Sequence, residues 1–188
     1  SPAGWTSEEE APHARLVLVR HGQSEWNLAN RFTGWVDVDL TEQGILEARE
    51  AGRLLAAAGL EIDEVHTSLM RRAIRSAVLM LSTLNQCWLP VRKHLELNEQ
   101  HAGLLTGENK VSCAQKWGVD QVMAWRRNFE DPPPEIAADS AIQRAIATDR
   151  RYDAARVPSR ECLSAVLVVT HGNTLRALVA YLDGLAPE

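Results

Sequence analysis

The sequence predicts an α/β domain: a single doubly wound, mostly parallel sheet with helices on both faces and a lid-like helical insert. Three observations predict it. Leu16, Val17, Leu18 and Val19 form a run that is apolar on every side, and Val166, Leu167, Val168 and Val169 repeat it near the other end. Runs without alternation suit central strands covered on both faces, as in a parallel sheet. Between them, helical periodicities alternate with short strand-like text, the pattern that builds α/β sheets. Both apolar runs also end in near-identical sequence, Arg20-His21-Gly22-Gln23-Ser24 and Thr170-His171-Gly172-Asn173-Thr174.

Taken in order, residues 1–14 read as a loose tail, because SPAGWTSEEEAPHA has neither the basic start nor the apolar centre of a signal peptide. Residues 15–188 are expected to form one catalytic domain. Thr41 can cap a helix whose apolar positions Ile45, Ala48, Ala51 and Leu55 recur at helical spacing, with Gly59 at its end. Residues 65–67 read as a short strand. Ser68 then opens a helix through Ala73, Ala77, Met80, Leu81 and Leu84. Residues 96–135 carry little strand signal and end in Pro132-Pro133-Pro134. Such an excursion from a regular sheet suits a lid or substrate-binding insert. A last helix is expected over residues 174–183, stopped by Gly184.

Composition narrows the function classes. The chain has 188 residues, 45% of them hydrophobic, which suits one ordinary globular domain. A net charge of −5 argues against a nucleic-acid or membrane-surface protein, although a local arginine cluster still suits a small anion. No run reaches the ~18 to 20 apolar residues of a membrane span. The three cysteines, Cys87, Cys113 and Cys162, are far apart and include no CxxC. They suggest a reducing, cytoplasmic setting.

In an open α/β sheet, ligands bind outside the carboxyl ends of the strands. His21 and His171 both fall there, and Gly22 and Gly172 let backbone approach a ligand closely. The strand before Ser68 brings Arg71 and Arg72 to the same rim. Two imidazoles and two guanidiniums at one edge suit an anion. Zinc would need a third ligand such as Glu99 or His101, no HExxH spacing is present, and the flanking arginines repel a cation. Phosphate is the better guest. His13, His66 and His94 read as structural.

Six segments then carry a resemblance: RHGQSEWN (20–27), RFTGWVDVDLTEQG (31–44), TSLMRRAI (67–74), LNEQHAGLLTGENK (97–110), QVMAWRRNFEDPPP (121–134) and THGNTLRALVAYLDG (170–184). In this order they closely resemble the cofactor-dependent phosphoglycerate mutases of the histidine phosphatase superfamily. The resemblance implies that 3- and 2-phosphoglycerate are interconverted, with 2,3-bisphosphoglycerate as phosphoryl primer and no metal. It makes His21 the nucleophile that becomes phosphohistidine. Arg20, Arg72, Asn27 and His171 would surround the transferring phosphoryl group, where positioning and charge neutralisation dominate. Glu99 would be the general acid/base, with a pKa raised by the site. Lys110, Arg126 and Arg127 would hold the far end of the substrate. Thr33, Gly34, Gln100, Gly172 and Asn173 would supply further ligand contacts. From the residues alone, Arg126 and Arg127 read equally well as a solvated helix face, and Asn27 as a helix cap.

The chain departs from the family in three places. The family usually reads Glu-Arg-His-Tyr-Gly where this chain has Glu99-Gln100-His101-Ala102-Gly103, losing one cation and one phenol. PSRECLS (158–164) resembles a segment that normally precedes a helix, yet Val166 follows almost at once, so a segment near 164–166 is expected to be missing. The family's C-terminal tail is also expected to be missing beyond Glu188. The resemblance implies a homodimer or homotetramer acting on small phosphorylated three-carbon acids. A phosphatase of the same superfamily and a non-catalytic phosphometabolite-binding relative are the competing readings.

Overall fold

A computed structural model describes residues 16–162. The expectations for the tail, the 164–166 join, the run at 166–169, His171, Gly172, Asn173 and the helix at 174–183 lie outside the described residues.

The described part is α/β, built around a β–α–β unit. β1 (Val65–Ser68) and β2 (Val91–His94) pair in parallel, with Val65 opposite Val91 and Ser68 opposite His94. A parallel pair needs a crossover, and α3 (Arg71–Thr83) supplies it. This helix buries Ala73, Ala77 and Leu81 at four-residue spacing. Before the unit come a single turn, α1 (Glu25–Leu28), and the long α2 (Glu42–Ala57). Thr41 caps α2 as expected, its hydroxyl accepting from the Gly44 N–H at 3.1 Å. Gly59 follows the helix at φ +61°, a left-handed stop that glycine adopts without strain.

α2 buries Gly44, Ala48 and Gly52, and it crosses α3 closely at Gly52. A Cβ at Gly52 would meet the Met80 carbonyl oxygen at 2.8 Å and the Thr83 Cβ at 2.9 Å. Gly52→Ala gains up to ~1 kcal/mol of helix propensity. It also forces the helices apart, at ~1–3 kcal/mol. The overpacking should win, with a lower urea midpoint. A higher midpoint would show that the crossing has slack.

One expectation needs correction. Ser68 does not open the second helix: it ends β1, and its hydroxyl accepts from the Met70 N–H at 3.2 Å. The helix starts at Arg71, whose N–H is taken at 2.6 Å by the Asp37 carboxylate from a distant loop. Residues 16–19 make no ladder with another described segment, and the similar run at 166–169 lies outside the described residues.

After β2 the chain leaves the sheet. A 3-10 turn (Leu95–Leu97) leads to the loop carrying Glu99, and another (Gly103–Leu105) precedes a helical pair, α4 (Lys110–Trp117) and α5 (Val119–Arg127). α6 (Ala141–Ala147), capped by Ser140, and a 3-10 turn (Ala154–Arg156) follow. Two apolar clusters frame the segment from Phe32 to Trp35. Phe32 packs with Leu105, Cys113, Val122 and Trp125 under α4 and α5, while Trp35 packs with Met70 and Ile146. No described helix is long and apolar enough to cross a membrane.

Candidate active site

The chain turns sharply after residue 20. Gly22 lies against Gly44, where a Cβ would come far too close to the Gly44 carbonyl, so only glycine fits. The Gly22 N–H donates to the Ser76 hydroxyl (3.1 Å), which donates to the Arg72 carbonyl (2.8 Å). The first turn of α3 thus holds the His21 turn from behind. His21 is buried, and its Nδ1 lies 2.7 Å from the Gly22 carbonyl oxygen. A carbonyl only accepts, so Nδ1 carries the proton and Nε2 keeps its lone pair.

Beside it opens a cleft of about 240 Å³. Arg20, Asn27, Thr33, Gly34, Glu99, Gln100, Lys110 and Arg126 all line it, eight of the expected site residues from four separate segments. Its cationic lining is Arg20, Arg31, Lys110 and Arg126; its acidic lining is Glu99. That balance suits a ligand bearing more than one negative group.

Asn27 is both cap and site residue. Its Oδ1 accepts from the Ser24 N–H (3.1 Å) in a capping box, and the residue also lines the cleft. Gly34 takes φ +52°, and a Cβ there would meet the Ala102 nitrogen at 2.9 Å. This close approach lets the segment from Thr33 touch the Glu99 loop. Arg72 is 1% exposed and lies beneath the cleft rather than in its lining. It donates to the carbonyls of Gly34 and Val36, both at 3.0 Å, and stands 3.5 Å from the Glu99 carboxylate. Burial pulls its pKa down, while the Glu99 charge works against that shift. Lys110 is also lowered, by burial first and then by Arg126.

Gln100 lines the cleft and also makes structural contacts, while Arg127 lies off its lining. The Gln100 amide donates to the carbonyls of Trp125 (3.2 Å) and Glu161 (2.8 Å), so it staples the loop to α5 and to the 159–161 segment. Arg127 is exposed at the end of α5 and absent from the cleft lining. Two residues go unmentioned in the sequence reading. Arg31 lines the cleft, donating to the Gly107 carbonyl at 3.0 Å, and its signal was a cation beside Phe32. Glu161 is a shielded carboxylate that accepts from the His101 N–H at 2.7 Å, with its pKa raised chiefly by burial.

His101 underpins the same loop and has a measurable consequence. It is fully buried, its Nδ1 accepts from the Gly103 N–H at 3.1 Å, and burial lowers its pKa from 6.5 to about 4. The unfolded chain therefore binds a proton that the folded chain refuses between those values. Its contribution to stability is full above pH 6.5 and is lost as pH falls toward 4, by about 3 kcal/mol at most. Urea unfolding of His101→Gln should lose less stability over that window than the natural chain. Parallel pH profiles would refute the assignment.

A buried, turn-bound histidine beside a cationic cleft that Glu99 also lines defines a protein built to handle phosphoryl groups. The chain belongs to the histidine phosphatase superfamily (branch 1), whose model matches residues 16–188. It is 48% identical to a 2,3-bisphosphoglycerate-dependent phosphoglycerate mutase of Caulobacter vibrioides, over 89% of this chain and 79% of that one. A protein of the same name from Corynebacterium glutamicum is 45% identical over 93% of this chain and 79% of its own. Among solved structures, a mycobacterial glucosyl-3-phosphoglycerate phosphatase matches with a TM-score of 0.62 and 27% identity, covering 90% of this chain and 80% of that chain.

Proposed function

We propose that this chain interconverts 3-phosphoglycerate and 2-phosphoglycerate through a phosphohistidine on His21. The observation that carries the reading is the cleft, where Arg20, Arg31, Lys110 and Arg126 face a single carboxylate, Glu99, anchored on buried Arg72. Four cations suit an acid bearing a carboxylate and a phosphate, and equally the two phosphates of 2,3-bisphosphoglycerate, the primer that supplies the first phosphoryl group. His21 Nε2 takes the phosphoryl group as the P–O bond to the donor oxygen breaks, and Glu99 gives that oxygen its proton. In the return step Glu99 takes the proton of the acceptor hydroxyl, whose oxygen takes the phosphoryl group from His21. Arg20 and Asn27 hold the transferring oxygens, with His171 joining them as the resemblance implies. Thr33 and Gly34 orient the substrate; Lys110 and Arg126 hold its far end, with Arg127, Gly172 and Asn173 supplementing them. No step uses a metal.

The fuller architecture is part of the same proposal. An apolar groove of about 710 Å³ runs between Val17, Val19, Val65 and Leu97. The doubly wound sheet that the resemblance implies for the whole domain belongs to this reading. α4 and α5 act as the lid, in a domain spanning residues 15–188. We place the protein in the cytoplasm, as a homodimer or homotetramer.

Incubation with 2,3-bisphosphoglycerate and 3-phosphoglycerate tests the reading directly. Formation of 2-phosphoglycerate supports it. Free phosphate alone would make the chain a phosphatase, and no product would make it a binding protein.

A further inference from the structure

We infer that Phe32 is a positioning residue, whose ring holds Lys110 and Arg126 side by side in the cleft for the far anionic end of the substrate. The inference rests on the anion-binding reading of the cleft. The Lys110 Nζ lies 5.9 Å from the Phe32 ring centroid and the Arg126 guanidinium carbon 5.8 Å from it. Both are within the range at which a cation feels the negative face of an aromatic ring. Phe32 is 6% exposed, and its backbone is clamped, the N–H donating to the Glu108 carbonyl (3.0 Å) and the carbonyl accepting from the Gly107 N–H (2.8 Å).

The arrangement solves a problem of like charges. Lys110 and Arg126 come from opposite ends of the α4–α5 pair, and both line the cleft. Lys110 is partly desolvated, Arg126 and Arg20 oppose its charge, and Glu99 favours it. Without compensation, two such cations would splay toward water. The π-face offsets part of the repulsion and needs no counter-ion, so the cations are in place before the ligand arrives. Pre-placement of this kind reduces the ordering cost of binding. A carboxylate in the place of the ring would neutralise the cations but compete with the anionic ligand.

Fluorinated phenylalanines separate this role from packing, because they drain the ring's negative face while nearly keeping its shape. Position 32 is filled in turn with phenylalanine, its 4-fluoro, 3,4,5-trifluoro and pentafluoro forms in the full-length chain. Binding of 3-phosphoglycerate is measured by calorimetry without primer, and the titration of Lys110 by NMR in the ligand-free protein. Affinity should fall stepwise across the series, by about three- to tenfold in all. Lys110 should deprotonate at progressively lower pH while the melting temperature holds. The Lys110 titration decides the matter with or without bound ligand, so it stands apart from the mutase reading. A Lys110 titration that stays flat across the series would make Phe32 a core residue and nothing more.

Discussion

Replacing His21 with alanine is expected to abolish both the acid-labile phosphoryl label taken from 2,3-bisphosphoglycerate and at least about a thousandfold of the turnover, some 4 kcal/mol of barrier. The reason lies in the turn. With Nδ1–H spent on the Gly22 carbonyl at 2.7 Å, Nε2 is left as the nucleophile. The Gly22–Ser76–Arg72 chain of hydrogen bonds fixes where it points. His21→Asn offers the same carbonyl an amide donor but no nucleophilic nitrogen, so it should fold better than the alanine variant and be equally inactive. Label retained by either variant, or mapped to another residue, would refute the assignment.

The elements legible in the sequence were those whose signals are local. Thr41 caps α2 through its own hydroxyl three residues away, and β1 covers residues 65–67, which read as a short strand. β2 was not legible, because Val91-Arg92-Lys93-His94 has no apolar run, with Arg92 and Lys93 both exposed, and only its backbone pairing makes it a strand. The start of α3 was misread for the same reason in reverse. Its first N–H is capped by Asp37, 34 residues away, where no local pattern can announce it.

The site divides in a similar way. Eight expected residues meet in one cleft because whole motifs, not single residues, carried the expectation. Gln100 is one of the eight, yet both of its donated bonds go to backbone carbonyls, so the amide that replaces the family's arginine works as a staple. Glu161 was invisible because a carboxylate in PSRECLS looks like any surface acid. It becomes informative only when the fold folds that segment back on His101. Charge and spacing mark residues that face a ligand; they say little about those that hold the first set in place.

Arg72 belongs to both sets, which makes it the second large expectation. It joins three segments: α3, the Gly34–Val36 backbone through two 3.0 Å bonds, and Glu99 at 3.5 Å. Arg72→Ala removes a donor from the Gly34 and Val36 carbonyls and takes from Glu99 the cation 3.5 Å away. Breaking a buried pair of this kind costs about 3–5 kcal/mol. Arg72→Lys keeps the charge, but one ammonium cannot reproduce the flat fork that spans both carbonyls. It should fold less stably than the natural chain and lose at least about a hundredfold in turnover, because Glu99 is then misplaced. Arg71 provides the control. It is exposed, stands 3.6 Å from Asp37 and 4.0 Å from Asp39, and its loss should cost under about 1 kcal/mol. Urea unfolding and mutase assays of Arg71→Ala, Arg72→Ala and Arg72→Lys, run side by side, distinguish the neighbours. Equal losses from the two alanine variants would mean that the buried fork does not organise the site.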